Sequence, residues 1–209
     1  MTPADGERGR TFESVLASRR MCRDYLPADV ADDQLDRVLR AALRGPAAGN
    51  TWALQLVVLR GDDVARYWSV TLSDERRRTF PWPGLPSAPV LVLPYVDPSR
   101  YVARYAEPDK ARSGLGDGEA AWSVPYWWVD GGAAVMAMLL AAESEGLGAL
   151  FFGQFGHEES VRNAFGVPAG QRTLGTLALG HRAGDGGGPS RSASTGRPRL
   201  EDVRRDGGW

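Results

Sequence analysis

Between Tyr126 and Glu145 the chain carries about five turns' worth of helix-forming residues with almost nothing polar among them. Trp128, Gly132, Val135, Met136, Leu139 and Leu140 make one stripe, and Ala133, Ala134, Ala137, Met138 and Ala141 fill most of the remaining surface. A helix apolar nearly all round has to be covered on all sides. In a chain of 209 residues that puts it at the centre of the domain or at an interface between two copies. The longest apolar run, Ala133 to Ala142, is too short to cross a hydrocarbon core, which needs about 20 residues. Asp130, in the first turn, is expected to help cap this helix, and Gly146-Leu147-Gly148 ends it.

Shorter elements surround it. Phe12, Val15 and Leu16 mark an amphipathic helix up to about Arg20, with Thr11 as its N-cap. Pro27 makes 24–27 extended. Leu35, Val38, Leu39, Ala42 and Leu43 are the buried stripe of a second helix, stopped at Gly45-Pro46. Strands are expected over 54–59, 89–93, 149–152 and 173–179, and further helices over 64–72 and 158–165. The unbroken apolar run 89–93 reads as a strand covered on both faces. Residues 73–88 read as an irregular surface segment, and 97–124, rich in Gly, Asp, Arg and Ser, as a long loop. The ends read as flexible over 1–8 and 184–196, followed by a tail over 197–209. The alternation of helices and strands predicts one domain over 1–209 with a sheet layered by helices.

Charge and composition remove several classes of function. With 25 basic and 26 acidic residues the formal charge is −1, against duplex nucleic-acid binding. Cys22 has no partner for a disulfide, and one cysteine with His157 and His181 makes no Cys/His metal site. The first ten residues lack an apolar signal region, so a cytoplasmic chain is expected. Lys110 is the only lysine and isoleucine is absent, a GC-rich codon pattern that weakens any argument from the choice of arginine over lysine.

Three segments carry possible chemistry. Arg19-Arg20-Met21-Cys22-Arg23 lies where a helix gives way to extended chain. Three guanidiniums in five residues suit a phosphate, which accepts them bidentately; they equally suit a solvated helix C-terminus. Gly45-Pro46-Ala47-Ala48-Gly49-Asn50-Thr51 allows close backbone approach and offers one amide, or is a plain connection. Gly153-Gln154, after a short strand, presents backbone N–H groups that can reach a heteroaromatic ring, or is a simple turn. No Walker A motif, Rossmann fingerprint or Gly-x-Ser-x-Gly elbow is present. His157 and His181 read as surface histidines.

Taken in order, these segments resemble the nitroreductase superfamily of flavin enzymes. The resemblance rests on Ser18 to Tyr25, on the 45–51 loop, on Glu143 to Gly148 followed by Phe152-Gly153-Gln154-Phe155 and Phe165-Gly166-Val167-Pro168, and on Leu177 to His181 with the tail from Arg197 to Val203. Tyr105 to Lys110 and Val124 to Trp127 are similar to an actinobacterial branch. The resemblance implies an α+β fold with a mixed or antiparallel sheet flanked by helices and the long central helix at a homodimer interface. It implies FMN as cofactor, NAD(P)H as electron donor and a small electron-poor acceptor (nitroaromatic, quinone or conjugated carbonyl) reduced in ping-pong fashion, with no catalytic side chain and no metal. Carried over, Arg19, Arg20 and Met21 would hold the phosphate side and Arg23 the pyrimidine edge of the ring. Pro46, Ala47 and Asn50 would come from the partner chain, Gly153 and Gln154 would approach N5, and Arg197 or Arg199 would close over the phosphate. The chain departs from the family pattern at Met21 and Ala47, where serines are usual, and at 52–54. Those departures leave open a flavin- or deazaflavin-binding protein without turnover; a further alternative is an FMN-dependent oxidase or dehydrogenase of a biosynthetic intermediate that passes its electrons to oxygen.

Overall fold

The computed structural model describes residues 10–188 and 195–209. Residues 1–8, and 189–194 within the expected flexible stretch 184–196, lie outside the described residues. The helices are α1 (Phe12–Ser18), α2 (Asp32–Ala41), α3 (Asp62–Thr71), α4 (Asp74–Arg78), α5 (Pro98–Tyr105), α6 (Tyr126–Ser144), α7 (Glu158–Ala164) and α8 (Leu200–Val203). The strands are β1 (Leu54–Arg60), β2 (Val90–Val96), β3 (Gly148–Phe152), β4 (Arg172–Thr173) and β5 (Thr176–Gly180).

The strands form one sheet in the order β1-β2-β5-β3, with β4 also paired to β2, and every pairing between them is antiparallel. The sheet is covered on both faces, and the pleat sends alternate residues of β2 to opposite sides. Val90 and Val92 pack with Val135, Met138 and Leu139 of α6 and Leu35 and Val38 of α2. Leu91, Leu93 and Tyr95 pack with Val64, Tyr67 and Trp68 of α3 and Val161 of α7. All seven residues of β2 are buried, as its uninterrupted apolar run requires.

β2 runs three residues beyond the expected end at Leu93, through Pro94. The oxygen of Pro94 accepts from Leu174 N, so the side of Pro94 that lacks an N–H faces the break between β4 and β5 and leaves the β1 ladder intact. That same break divides the single strand expected over 173–179.

Two other expectations change. The segment 97–124 is not a long loop. Asp97 caps α5 by accepting from Ser99 N with Pro98 in the first turn, and three short 3₁₀ turns follow over 111–121. Tyr101, Trp122 and Trp127 bury their rings together there. The segment 73–88 also holds α4, capped by Ser73, and a 3₁₀ turn whose Leu85 is buried.

α6 is the central element, but one strip of it is bare in the single chain. Val135, Met138 and Leu139 are buried, whereas Trp128, Val129 and Met136 stay between 40% and 48% exposed. Asp130, at 8% exposure, does not cap the helix: Pro125 is the N-cap residue, and the Asp130 carboxylate accepts from Ala48 N at 2.7 Å and from the Tyr101 hydroxyl at 2.8 Å. The loop and the tyrosine claim the carboxylate because it faces the core beneath them, away from the helix start.

Candidate functional site

The arginine cluster is positioned by its own backbone. α1 ends with Arg19 as C-cap, and the chain then runs extended beside β3, with Met21 bridged to Ala149 and Cys22 N donating to Ala149 O at 2.9 Å. On its other side Arg23 N donates to Gly186 O, Leu26 N to His181 O, and Tyr25 is bridged to Arg182. The strip 21–26 is therefore held between β3 and the chain leaving β5. Cys22 is buried in it, its Sγ turned to Asp24 O, and burial pushes its thiol pKa up.

The three arginines do different things. Arg19 has Nη1 buried with no hydrogen-bond partner among the described residues. A buried charged donor left unpaired is costly, and an anion is the group that would satisfy it. Arg20 turns back on its own helix, its Nη1 reaching the carbonyls of Ala17 and Arg19, which is the helix-end role also open to it. The guanidinium carbon of Arg23 lies 5.3 Å from the centroid of the Trp82 ring. Among the described residues its one side-chain hydrogen bond is a long one, 3.3 Å to Met21 O.

Arg23 lines a cavity of about 280 Å³ that also takes in Gly153, Gln154 and His157. Its walls are largely aromatic, supplied by Trp68, Phe80, Trp82 and Phe152. The Trp68 and Phe152 rings stack at 6.0 Å with planes 10° apart, and Phe80 meets Trp82 edge-on at 5.8 Å. Gln154 is buried: its side-chain amide donates to Gly175 O and Thr176 Oγ1, and Thr176 in turn bonds the Tyr67 hydroxyl at 2.8 Å. Burial pushes the Tyr67 hydroxyl up to about 12, so it stays protonated in this network. The anchored side chain fixes the turn, while Gly153 remains exposed. The Phe155 ring, 86% exposed, leans across it: a Cβ on Gly153 would come within 2.4 Å of that ring.

The 45–51 loop is elsewhere. It packs on α6, where Gly45 meets Ala133 and Ala134, and on α5, where Gly49 meets Tyr105. Gly49 and Asn50 both have left-handed backbone, at φ 63° and 57°. Asparagine is one of the few non-glycine residues that adopt that conformation readily; Asn50 Oδ1 accepts from Trp52 Nε1 at 2.9 Å. Pro46 and Ala47 line a small separate cavity with Asp130. Arg197 and Arg199 lie on the exposed tail, where Arg199 pairs with Glu201 and Asp202. Of the sequence-derived residues, one chain thus brings together Arg23, Gly153 and Gln154, with Met21 beside them on the β3 edge.

Phe80 and Trp82 of the aromatic wall carry no sequence signal, because they come from a proline-rich stretch without periodicity. His157, expected as a surface histidine, is half-buried against the cavity. His181 meets Asp29 O at the surface, as a structural histidine would. Among the described residues no cluster of His, Cys, Asp or Glu could hold a metal ion, and no helix is long and apolar enough to cross a membrane.

The chain is similar to a protein of Archaeoglobus fulgidus named as a candidate NADH dehydrogenase/NAD(P)H nitroreductase, 24% identical over 172 residues that cover 80% of this chain and 83% of the relative. In fold it resembles Bacillus megaterium NfrA2 (TM-score 0.70, 17% identity, 95% of this chain and 74% of that one). It also resembles a nitroreductase from Desulfovibrio desulfuricans solved in complex with FMN (TM-score 0.66, 22% identity, 96% and 98%). The profile of the nitroreductase family matches residues 16–181, a span that includes the arginine cluster, the 45–51 loop, α6 and the Gly153–Gln154 turn, and the chain belongs to that family.

Proposed function

We propose that the protein is an FMN-dependent oxidoreductase acting as a homodimer, with NAD(P)H as donor and a small electron-poor molecule (a nitroaromatic, a quinone or a conjugated carbonyl) as acceptor. The observation that carries this reading is a pair of arginines beside one strand edge, neither of them in an ion pair with a described residue. Arg19 buries a guanidinium nitrogen that no described residue pairs with, and Arg23 sits in an aromatic cavity next to an exposed glycine backbone. Such a set fits a flat ring carrying a phosphate: charge at one end, π surface and main-chain N–H groups at the other.

In this reading Arg19 and the backbone near Met21 hold the phosphate side, joined by Arg20 once it leaves its helix carbonyls. Arg23 places positive charge at the pyrimidine edge, which favours the reduced, anionic ring. Gly153 and Gln154 present backbone toward N5. Bound FMN supplies reversible hydride chemistry, so no side chain is asked to act as acid or base. Pro46, Ala47 and Asn50 come from the second subunit, and Arg197 or Arg199 closes over the phosphate. A second subunit is supported by the bare strip of α6, where Trp128, Val129 and Met136 of an otherwise buried helix stay exposed.

The test is reconstitution. Purified protein mixed with FMN and desalted should keep a flavin absorption band, and anaerobic NADH or NADPH should bleach it. Protein that emerges colourless overturns the reading.

A further inference from the structure

Trp82 stands in the stretch that the sequence presents as featureless surface, yet it is the main anchor of Arg23, the one formally charged side chain among the described residues that line the cavity. The guanidinium of Arg23 sits over its indole at 5.3 Å, within the roughly 6 Å range of a cation–π contact. The only competing attachment among the described residues is the 3.3 Å bond to Met21 O, beyond the usual range of about 2.7–3.2 Å for such a bond. The indole is itself fixed. Phe80 meets it edge-on, Leu85 N closes the turn onto Trp82 O at 3.0 Å, and Leu85 is buried. Two residues on, the backbone of Gly84 presses against Asp24 so closely that a Cβ there would lie 1.7 Å from Oδ1. The 80–85 turn is thus stapled to the 21–26 strip twice, ring to guanidinium and glycine to aspartate.

We infer that Trp82 is a positioning residue of the flavin site: its indole holds the Arg23 guanidinium at the cavity wall and so sets how strongly the site favours a reduced, anionic ring. This rests on the flavin reading above. Without the indole Arg23 keeps its charge but loses its place, and the charge spends its time in solvent, where screening weakens it. A residue that merely filled the wall would alter stability and leave the electronics of the ring untouched.

The experiment uses the full chain loaded with FMN, in wild-type, W82L, W82F, R23A, W82L/R23A and W82F/R23A forms. FMN dissociation constants are read by flavin fluorescence and midpoint potentials by dye-linked reduction. W82L should weaken FMN about 5-fold, the scale of one cation–π contact, and move the potential to more negative values in the same direction as R23A. W82F, which keeps an aromatic face, should fall between W82L and wild type. The double variant should be no worse than R23A alone, because Trp82 acts through Arg23. A wild-type potential in W82L, or effects of W82L and R23A that simply add, would overturn the inference while leaving the flavin reading standing. If W82L does not fold, the cycle of W82F with R23A decides: coupling supports the inference and its absence overturns it. A wild-type chain that binds no FMN brings down the functional reading itself, and this inference with it.

Discussion

At Glu143 a carboxylate only 3% exposed takes the Arg10 guanidinium at 2.7 Å, the Ser18 hydroxyl at 2.7 Å and the Arg182 guanidinium. One residue near the end of α6 thereby ties α1 to the chain leaving β5, on either side of the strip that carries Arg19 to Arg23. Burial alone would raise its pKa, but the hydrogen bonds from Ser18 and Arg10 and the charge of Arg182 outweigh it and hold the group below the ordinary glutamate value. A pKa lowered on folding adds stability above the unfolded value of 4.5, and that stability is lost as pH falls toward the folded value. Glu143→Gln should therefore cost about 1–3 kcal/mol at pH 7 and flatten the acid limb of the stability curve, as urea unfolding at pH 7 and pH 4 would show. Asp130→Ala should cost a similar amount, about 1–3 kcal/mol by the same measurement at pH 7, since it strands Ala48 N and the Tyr101 hydroxyl. Burial and the Asp130 carboxylate both push the Tyr101 pKa well up, so that hydroxyl remains a donor throughout. The roles of Glu143 and Asp130 were illegible in the sequence because their partners lie 29 to 133 residues away. Arg19 and Arg23 stood out because their cluster is local, though nothing local told Arg20, which serves its own helix, from Arg19, which does not.

Among the elements, those with strong periodicity or an unbroken apolar run were readable: α1 with its Thr11 cap, α2, α6 and the core of β2. The segments that escaped were ones where short signals sit among polar residues. Asp97-Pro98-Ser99 is a helix start, but the residues after it gave no stripe long enough to weigh, and the 3₁₀ turns over 111–121 have no period to find. The split between β4 and β5 was hidden because Leu174-Gly175 reads as ordinary strand. Gly175 makes the break possible. Its φ of +134° disfavours any other residue, and a Cβ there would lie 2.5 Å from Phe152 O, on the strand that leads into the Gly153–Gln154 turn. Gly175→Ala should cost more than about 1 kcal/mol in thermal or urea unfolding, and more than Gly61→Ala, whose added carbon meets nothing within 4 Å although its φ is also positive. If the two changes cost the same, close packing at Gly175 is not what matters.

For the molecule as a whole, α6 poses the question the sequence raised at the outset: it is apolar nearly all round, yet the single chain covers only part of it. Val129, 48% exposed, lies in the uncovered strip. Val129→Glu places a charge there without touching the internal core, so sedimentation should show a dimer for the wild type and a monomer for the variant, with retained helical circular dichroism. Wild-type protein that sediments as a monomer at micromolar concentration would contradict the homodimer. The layered α+β architecture was legible from the alternation of elements, whereas the cavity's aromatic wall was not, because it is assembled from α3, the 80–85 turn and β3, which only the tertiary fold brings together. The placement of the 45–51 loop, against α5 and α6 and apart from the Arg23 cavity, has a genetic consequence. In the proposed assembly, an Arg19→Ala chain and an Asn50→Ala chain are each deficient in both of their own homodimer's sites. Paired with one another they would put both lesions into one site and leave the other intact, so two weak alleles expressed in the same cell should restore activity that neither gives alone.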